Sequence, residues 1–116
     1  MKETGNLIVD LTFDFSLKIV EFTSKLEEIR KFPLSNQLFK SGTSIGANVR
    51  ESQSAESKND FVHKLKISAK EAEETEYWLL LCKHSEHLPD PANLLEQINR
   101  IQKVLSSIIS TAKKRL

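Results

Sequence analysis

Between Pro91 and the end of the chain, apolar residues return every three or four positions without a break: Leu94, Ile98, Ile101, Leu105, Ile108, Ala112 and Leu116. At about 100° per residue they form one stripe of an α-helix. Arg100, Lys103, Ser107 and Lys114 lie opposite. A stripe of this kind must be buried against something, and three further segments of the same period offer themselves.

The first covers 7–30, with Ile8, Leu11, Phe15, Ile19, Phe22, Leu26 and Ile29 in line. Pro33 disfavours helix at Phe32, so the second covers 34–52, with Leu34, Leu38, Gly42, Ile45 and Val49 in line. In the third, 57–86, Ser57 is placed as N-cap with Asp60 three residues on, and Phe61, Leu65, Ala69, Ala72 and Leu79 are apolar. Asp90 and Pro91 read as N-cap and first residue of the fourth, 91–115. Four amphipathic helices with short connectors pack most simply as an all-α, up-down-up-down antiparallel four-helix bundle in a single domain.

Composition agrees. A length of 116 residues suits one core. Three glycines, three prolines and few aromatics argue against a β-sandwich. The net charge of +1 exerts no global pull on nucleic acid or membrane. No run is apolar enough for a signal peptide or a membrane span, so a cytoplasmic chain without membrane contact is expected. The single cysteine, Cys82, has no internal disulfide partner and reads as a small half-buried helix residue.

The first helix has one apolar face too many. Val9, Phe13, Leu17 and Val20, spaced four, four and three apart, form a second stripe away from Leu11 and Phe15. Contiguous apolar patches are unusual on a monomer. Ile67 and Trp78 fall on a flank of the third helix, together with Glu71 and Glu74, and aromatic residues are enriched at interfaces. These six apolar residues are therefore candidates for contacts between copies of the chain. The plainer alternative is that loops or a wide core cover them.

The stretch SGTSIGANVRES, residues 41–52, places two glycines four apart inside a helix, at a cost of about 1 kcal/mol each relative to alanine. Gly42 falls in the core stripe, where a missing side chain lets a neighbouring helix approach. Gln37, Ser41, Ser44, Asn48 and Glu51 follow a different line, a polar seam at helix-contact spacing. Such a seam can fix the register of a packed pair. Spacing alone slightly favours the alternative, a solvated face of small polar residues.

No reaction emerges from the remaining residues. GTSIG lacks the spacing and the lysine of a phosphate loop. Asp60 and His63 make one carboxylate–histidine step, whereas di-iron bundles need two such steps and further carboxylates. His84 and His87, near Cys82 and Glu86, stand where a helix ends and suit its last carbonyls better than zinc. Among Glu71, Glu73, Glu74 and Glu76, only Glu76 borders the core stripe, with Arg50 as its candidate partner. No serine or cysteine comes with a base and an orienting group, and no histidine has the upstream arginine of helical ribonuclease toxins. Neither an enzyme, a cofactor nor a small-molecule substrate is expected.

Basic residues do cluster. After Glu96 the charged residues are Arg100, Lys103, Lys113, Lys114 and Arg115, and the third helix carries Lys58, Lys64, Lys66 and Lys70 early on. Lys64, Lys66, Lys70, Arg100, Lys103 and Lys114 are the candidate phosphate contacts. A solvated face is the default for such lysines, but repetition in an oligomer would multiply the contacts and raise the affinity steeply.

The central stretch, from Gln37 to Leu81, resembles the 23S rRNA-intervening sequence protein family. That family's motif runs S-I-x-A-N-x-x-E, a small polar connector, D-F, K-L and K-E-A-x-E-T-x-Y-W-L. Ser44, Ile45, Ala47, Asn48 and Glu51 match its first part. Asp60, Phe61, Lys64, Leu65, Lys70, Glu71, Ala72, Glu74, Thr75, Tyr77, Trp78 and Leu79 match the rest. The resemblance implies a ring-shaped homopentamer of four-helix bundles with no known enzymatic activity. Some members are encoded inside sequences that interrupt 23S rRNA genes. A more basic relative, the accessory protein of diversity-generating retroelements, binds a reverse transcriptase and nucleic acid. The expectation is a scaffold or accessory protein for nucleic acid or a nucleic-acid enzyme. The alternative is a structural or protein-binding module without a nucleic-acid role. Since the seam is part of the motif, it reads as architectural.

Overall fold

Helix ends form where something satisfies the free backbone groups, and each boundary here has such a cause. In the computed structural model, which describes residues 3–115, α1 spans Leu7–Glu28, α2 Phe32–Ser52, α3 Lys58–His84 and α4 Ala92–Lys114. Asn6 caps α1 by accepting from the Val9 N–H, and Ser57 caps α3 by accepting from the Asp60 N–H at 3.0 Å.

Six of the eight helix ends differ by one or two residues from the sequence expectation, α3 for example ending at His84, and three of them have a backbone cause. α1 stops at Glu28 because Arg30 turns left-handed (φ 62°). The N–H groups of Arg30 and Lys31 then close on the carbonyls of Glu27 and Leu26, a Schellman turn with arginine where glycine is usual. α2 begins at Phe32 rather than after Pro33. The proline sits in the first turn, where its missing N–H costs nothing, and Ser35 N–H to Lys31 carbonyl closes that turn at 2.9 Å. α4 starts at Ala92, with Pro91 in the cap position and the Asp90 carboxylate accepting from the Ala92 N–H at 3.0 Å.

Each helix runs antiparallel to the next. α1 packs on α2 and α4, α3 packs on the same two, and the backbones of the diagonal pairs α1–α3 and α2–α4 stay apart across the core. This is the up-down-up-down bundle. Phe15, Ile19, Leu26, Leu38, Ile45, Leu65, Leu79, Ile98, Ile101 and Leu105 are fully buried along its axis. Burial of each such side chain stabilises the fold by about 1.5–3 kcal/mol.

The two glycines of α2 set its distance from α1. A Cβ on Gly42 would lie 2.8 Å from the Ile19 side chain, and one on Gly46 would lie 3.1 Å from the Thr12 carbonyl oxygen. Ile19 is fully buried and β-branched, so it has no room to yield. Gly42→Ala is therefore expected to destabilise the chain by about 1–2 kcal/mol, despite the gain in helix propensity of up to ~1 kcal/mol. Chemical denaturation measures this, and an unchanged midpoint would show that α1 and α2 can separate freely.

Candidate interaction surfaces

Among the described residues, no three of His, Cys, Asp and Glu converge to hold a metal ion. Asp60 is occupied, accepting from the Glu56 N–H at 3.2 Å, while His63, His84 and His87 are exposed. Cys82 is buried, which pushes its thiol up to about 11 and leaves little thiolate near neutral pH. Glu71 is half-buried. Burial, aided by the nearby Glu74, raises its carboxyl above the ordinary value, and Lys40 opposes the shift. Glu76 does not meet Arg50. It accepts from Gln102 Nε2 of α4 at 3.4 Å, whereas Arg50 lines a cleft beside α1. The two were paired only by charge, and the topology sets them on different sides.

The polar line of α2 follows its boundary with α3. Ser41 is fully buried, and its hydroxyl has no partner. Ser44 and Asn48 are half-buried and bond back within their own helix, Ser44 Oγ to the Lys40 carbonyl and Asn48 Nδ2 to the Ser44 carbonyl. Glu51 is exposed and pairs with Lys64 of α3 at 3.2 Å. Between them, Ser68 of α3 donates to the Ile45 carbonyl at 2.8 Å. The line thus runs from buried Ser41 to exposed Glu51 and meets α3 at its Glu51 end. Ser68, also fully buried, is the member that sequence spacing missed, because only the packed structure sets it opposite Ile45.

The six apolar candidates divide between two places. Val9 and Phe13 are half-buried and line a cleft of about 240 Å³ with Thr43, Gly46 and Ala47 of α2. Leu17 and Val20 continue the same stripe into solvent, 49% and 42% exposed. Phe39, 46% exposed, lies on the line of Thr43 and Gly46 along α2 and extends this apolar strip. It was not singled out in the sequence because it falls off the α2 core stripe. Ile67 and Trp78, both half-buried, stand on α3, the helix diagonal to α1. The Trp78 indole N–H points to Glu74 at 3.4 Å, and its ring meets that of Tyr77 edge-on at 5.1 Å between centroids. Tyr77 (56% exposed) and Leu81 carry this second apolar surface outward. Their i,i+4 spacing was visible in the sequence but stood apart from any stripe.

Of the basic candidates, Lys66 and Lys70 on α3 and Arg100, Lys103 and Lys114 on α4 are exposed. Lys64 is half-buried and held by Glu51, which ties it to the α2–α3 boundary. No helix of the described residues is long and apolar enough to cross a membrane.

A bundle of this topology, with polar residues threaded along one helix boundary and apolar residues left open on two others, defines a class of small all-α protein. The sequence profile of the 23S rRNA-intervening sequence proteins matches residues 6–107, and the chain belongs to that family. The chain is similar to a crystal structure of a protein of unknown function from the S23 ribosomal protein family of Bacteroides thetaiotaomicron. The two share 41% identity at a TM-score of 0.83, over 88% of this chain and 97% of that one. No curated protein matches the chain.

Proposed function

We propose that the chain is a non-catalytic, homo-oligomeric scaffold that binds nucleic acid or a nucleic-acid enzyme. The observation that carries the assembly is the pair of unlike apolar surfaces on one bundle. One is formed by Phe13, Leu17, Val20 and Phe39 on α1 and α2, the other by Ile67, Tyr77, Trp78 and Leu81 on α3. Each is open, and exposed patches of this kind mark contact surfaces. Because the two differ, the simplest pairing is head-to-tail, one surface of a copy against the other surface of the next. Pairing of that type closes into a ring when its rotation permits. Five subunits is the number that the family resemblance implies.

The nucleic-acid half rests on exposed cations. Lys66 and Lys70 share the outer side of α3, and Arg100, Lys103 and Lys114 share that of α4. α3 and α4 are neighbours, so one copy presents both rows and a ring repeats them. Such contacts are individually weak and additive in the logarithm of affinity. The test is a gel shift with structured RNA across a salt series. Retardation should be clear at about 50 mM salt and fall by orders of magnitude by about 200 mM. The triple change Lys66→Glu, Lys70→Glu, Lys103→Glu should abolish it. Absence of any shift at low salt removes the nucleic-acid role and leaves a protein-binding scaffold.

A further inference from the structure

α3 and α4, at 27 and 23 residues, are the two longest helices, and at one end of the bundle they outrun α1. Asp14 of α1 meets Gln97 of α4 at 3.3 Å. With equal rise along antiparallel helices, the first turn of α1 lies level with the middle of α4. Among the described residues, the last turns of α4 therefore face α3 and the connector after Ser52 in place of α1, and the two helices are joined at the tip where Lys58 Nζ reaches the Arg115 carbonyl at 3.4 Å. Farther along the bundle, α1 covers such inner faces. Here the connector after Ser52 closes one side only, tied to the start of α1 by Asn6 Nδ2 donating to Gln53 Oε1 at 3.1 Å.

The overhang leaves a cleft of about 590 Å³, within the range of small-ligand sites, about 300–1,000 Å³. Phe61, Ile108 and Ala112 form its apolar wall, and Ser107 and Thr111 add hydroxyls. Its charged lining consists of Lys58 and Arg115, without a carboxylate. Neither cation has an ion-pair partner among the described residues. An apolar wall beside two such cations complements an apolar body ending in an anion. The connector blocks one end, which suits a compact ligand better than a helix lying along a groove.

We propose that this cleft binds a small aliphatic carboxylate, with its chain against Phe61, Ile108 and Ala112 and its carboxylate between Lys58 and Arg115. A carboxylate held by an ammonium and a guanidinium gains charge-assisted hydrogen bonds, and the hydrocarbon gains the burial that α1 provides elsewhere. The site shares no residue with either apolar surface proposed for assembly, so it stands or falls separately from the oligomer.

Isothermal titration of the full chain with sodium octanoate, 1-octanol and adenosine monophosphate tests it. Octanoate is expected to bind saturably, one per chain, in the submillimolar range, with octanol weaker by about tenfold or more. The double variant Lys58→Gln, Arg115→Gln, altered only at exposed side chains and checked for unchanged helicity, should lose the preference for octanoate over octanol. Ile108→Ser should weaken both ligands. The proposal is overturned by absence of saturable heat, by equal affinity for octanol and octanoate, or by unaltered octanoate binding in the double variant. Preferential binding of the nucleotide would also overturn it and assign the cleft to a nucleobase.

Discussion

In the proposed assembly, Leu17→Glu together with Val20→Glu is expected to give monomers that remain folded. Both side chains are more than two-fifths exposed, so the charges meet water in the isolated bundle and an apolar neighbour only in the oligomer. Burying even one unpaired carboxylate costs several kcal/mol, enough to dissociate a micromolar assembly. Phe13 is a poorer choice because it is half-buried in the α1–α2 cleft, and a charge there would mix unfolding with dissociation. Tyr77→Glu with Leu81→Glu should have the same effect from the opposite surface. The informative experiment mixes the two monomeric variants. In head-to-tail pairing each variant retains one intact surface, of opposite kinds, so an equimolar mixture should form a dimer and stop there. A two-fold symmetric contact would give no such rescue. Size-exclusion chromatography with light scattering distinguishes the outcomes.

Phe15→Ala, two residues from Leu17, should act entirely on folding. Phe15 is fully buried at the bundle axis, and truncation leaves a cavity that the surrounding core, with Ile19 one turn further along α1, fills only in part. The expected loss is about 3–5 kcal/mol, a large share of the roughly 5–15 kcal/mol that a domain of this size commands. Thermal unfolding should fall by roughly 10–20 °C. Leu17→Ala, by contrast, should leave monomer stability within about 0.5 kcal/mol, as exposed positions usually do. Urea denaturation of both variants, in the monomeric Tyr77→Glu, Leu81→Glu background, measures this difference. Equal losses would mean that the two faces of α1 are not distinguished by burial.

The four helices were legible because periodic apolar residues leave little freedom: a stripe such as Leu94, Ile98, Ile101 and Leu105 has one way to be buried. The ends were less so, since Arg30 in a left-handed turn and Phe32 ahead of a proline both go against local preference and are held by backbone hydrogen bonds that no pattern announces. The seam shows a further limit. Ser41, Ser44, Asn48 and Glu51 lie on one helical line, yet their surroundings run from fully buried to exposed. Spacing gives direction around a helix, whereas burial depends on what stands opposite. The same reason separates Glu76 from Arg50 and leaves Phe39 and Tyr77 to be recognised only once their neighbours are in place. Cleft geometry at the α3–α4 overhang was hidden entirely, since it arises from unequal helix lengths and register.

Assembly is the central prediction, because no described residue of the bundle covers either apolar surface. Sedimentation velocity of the unaltered chain at micromolar concentration addresses this most directly. A single closed species at a fixed multiple of the 13.2 kDa chain mass, unchanged on dilution, is the predicted result, and the five-subunit ring that the resemblance implies would have five times that mass. A species at the chain mass itself, persisting as concentration rises, would contradict it.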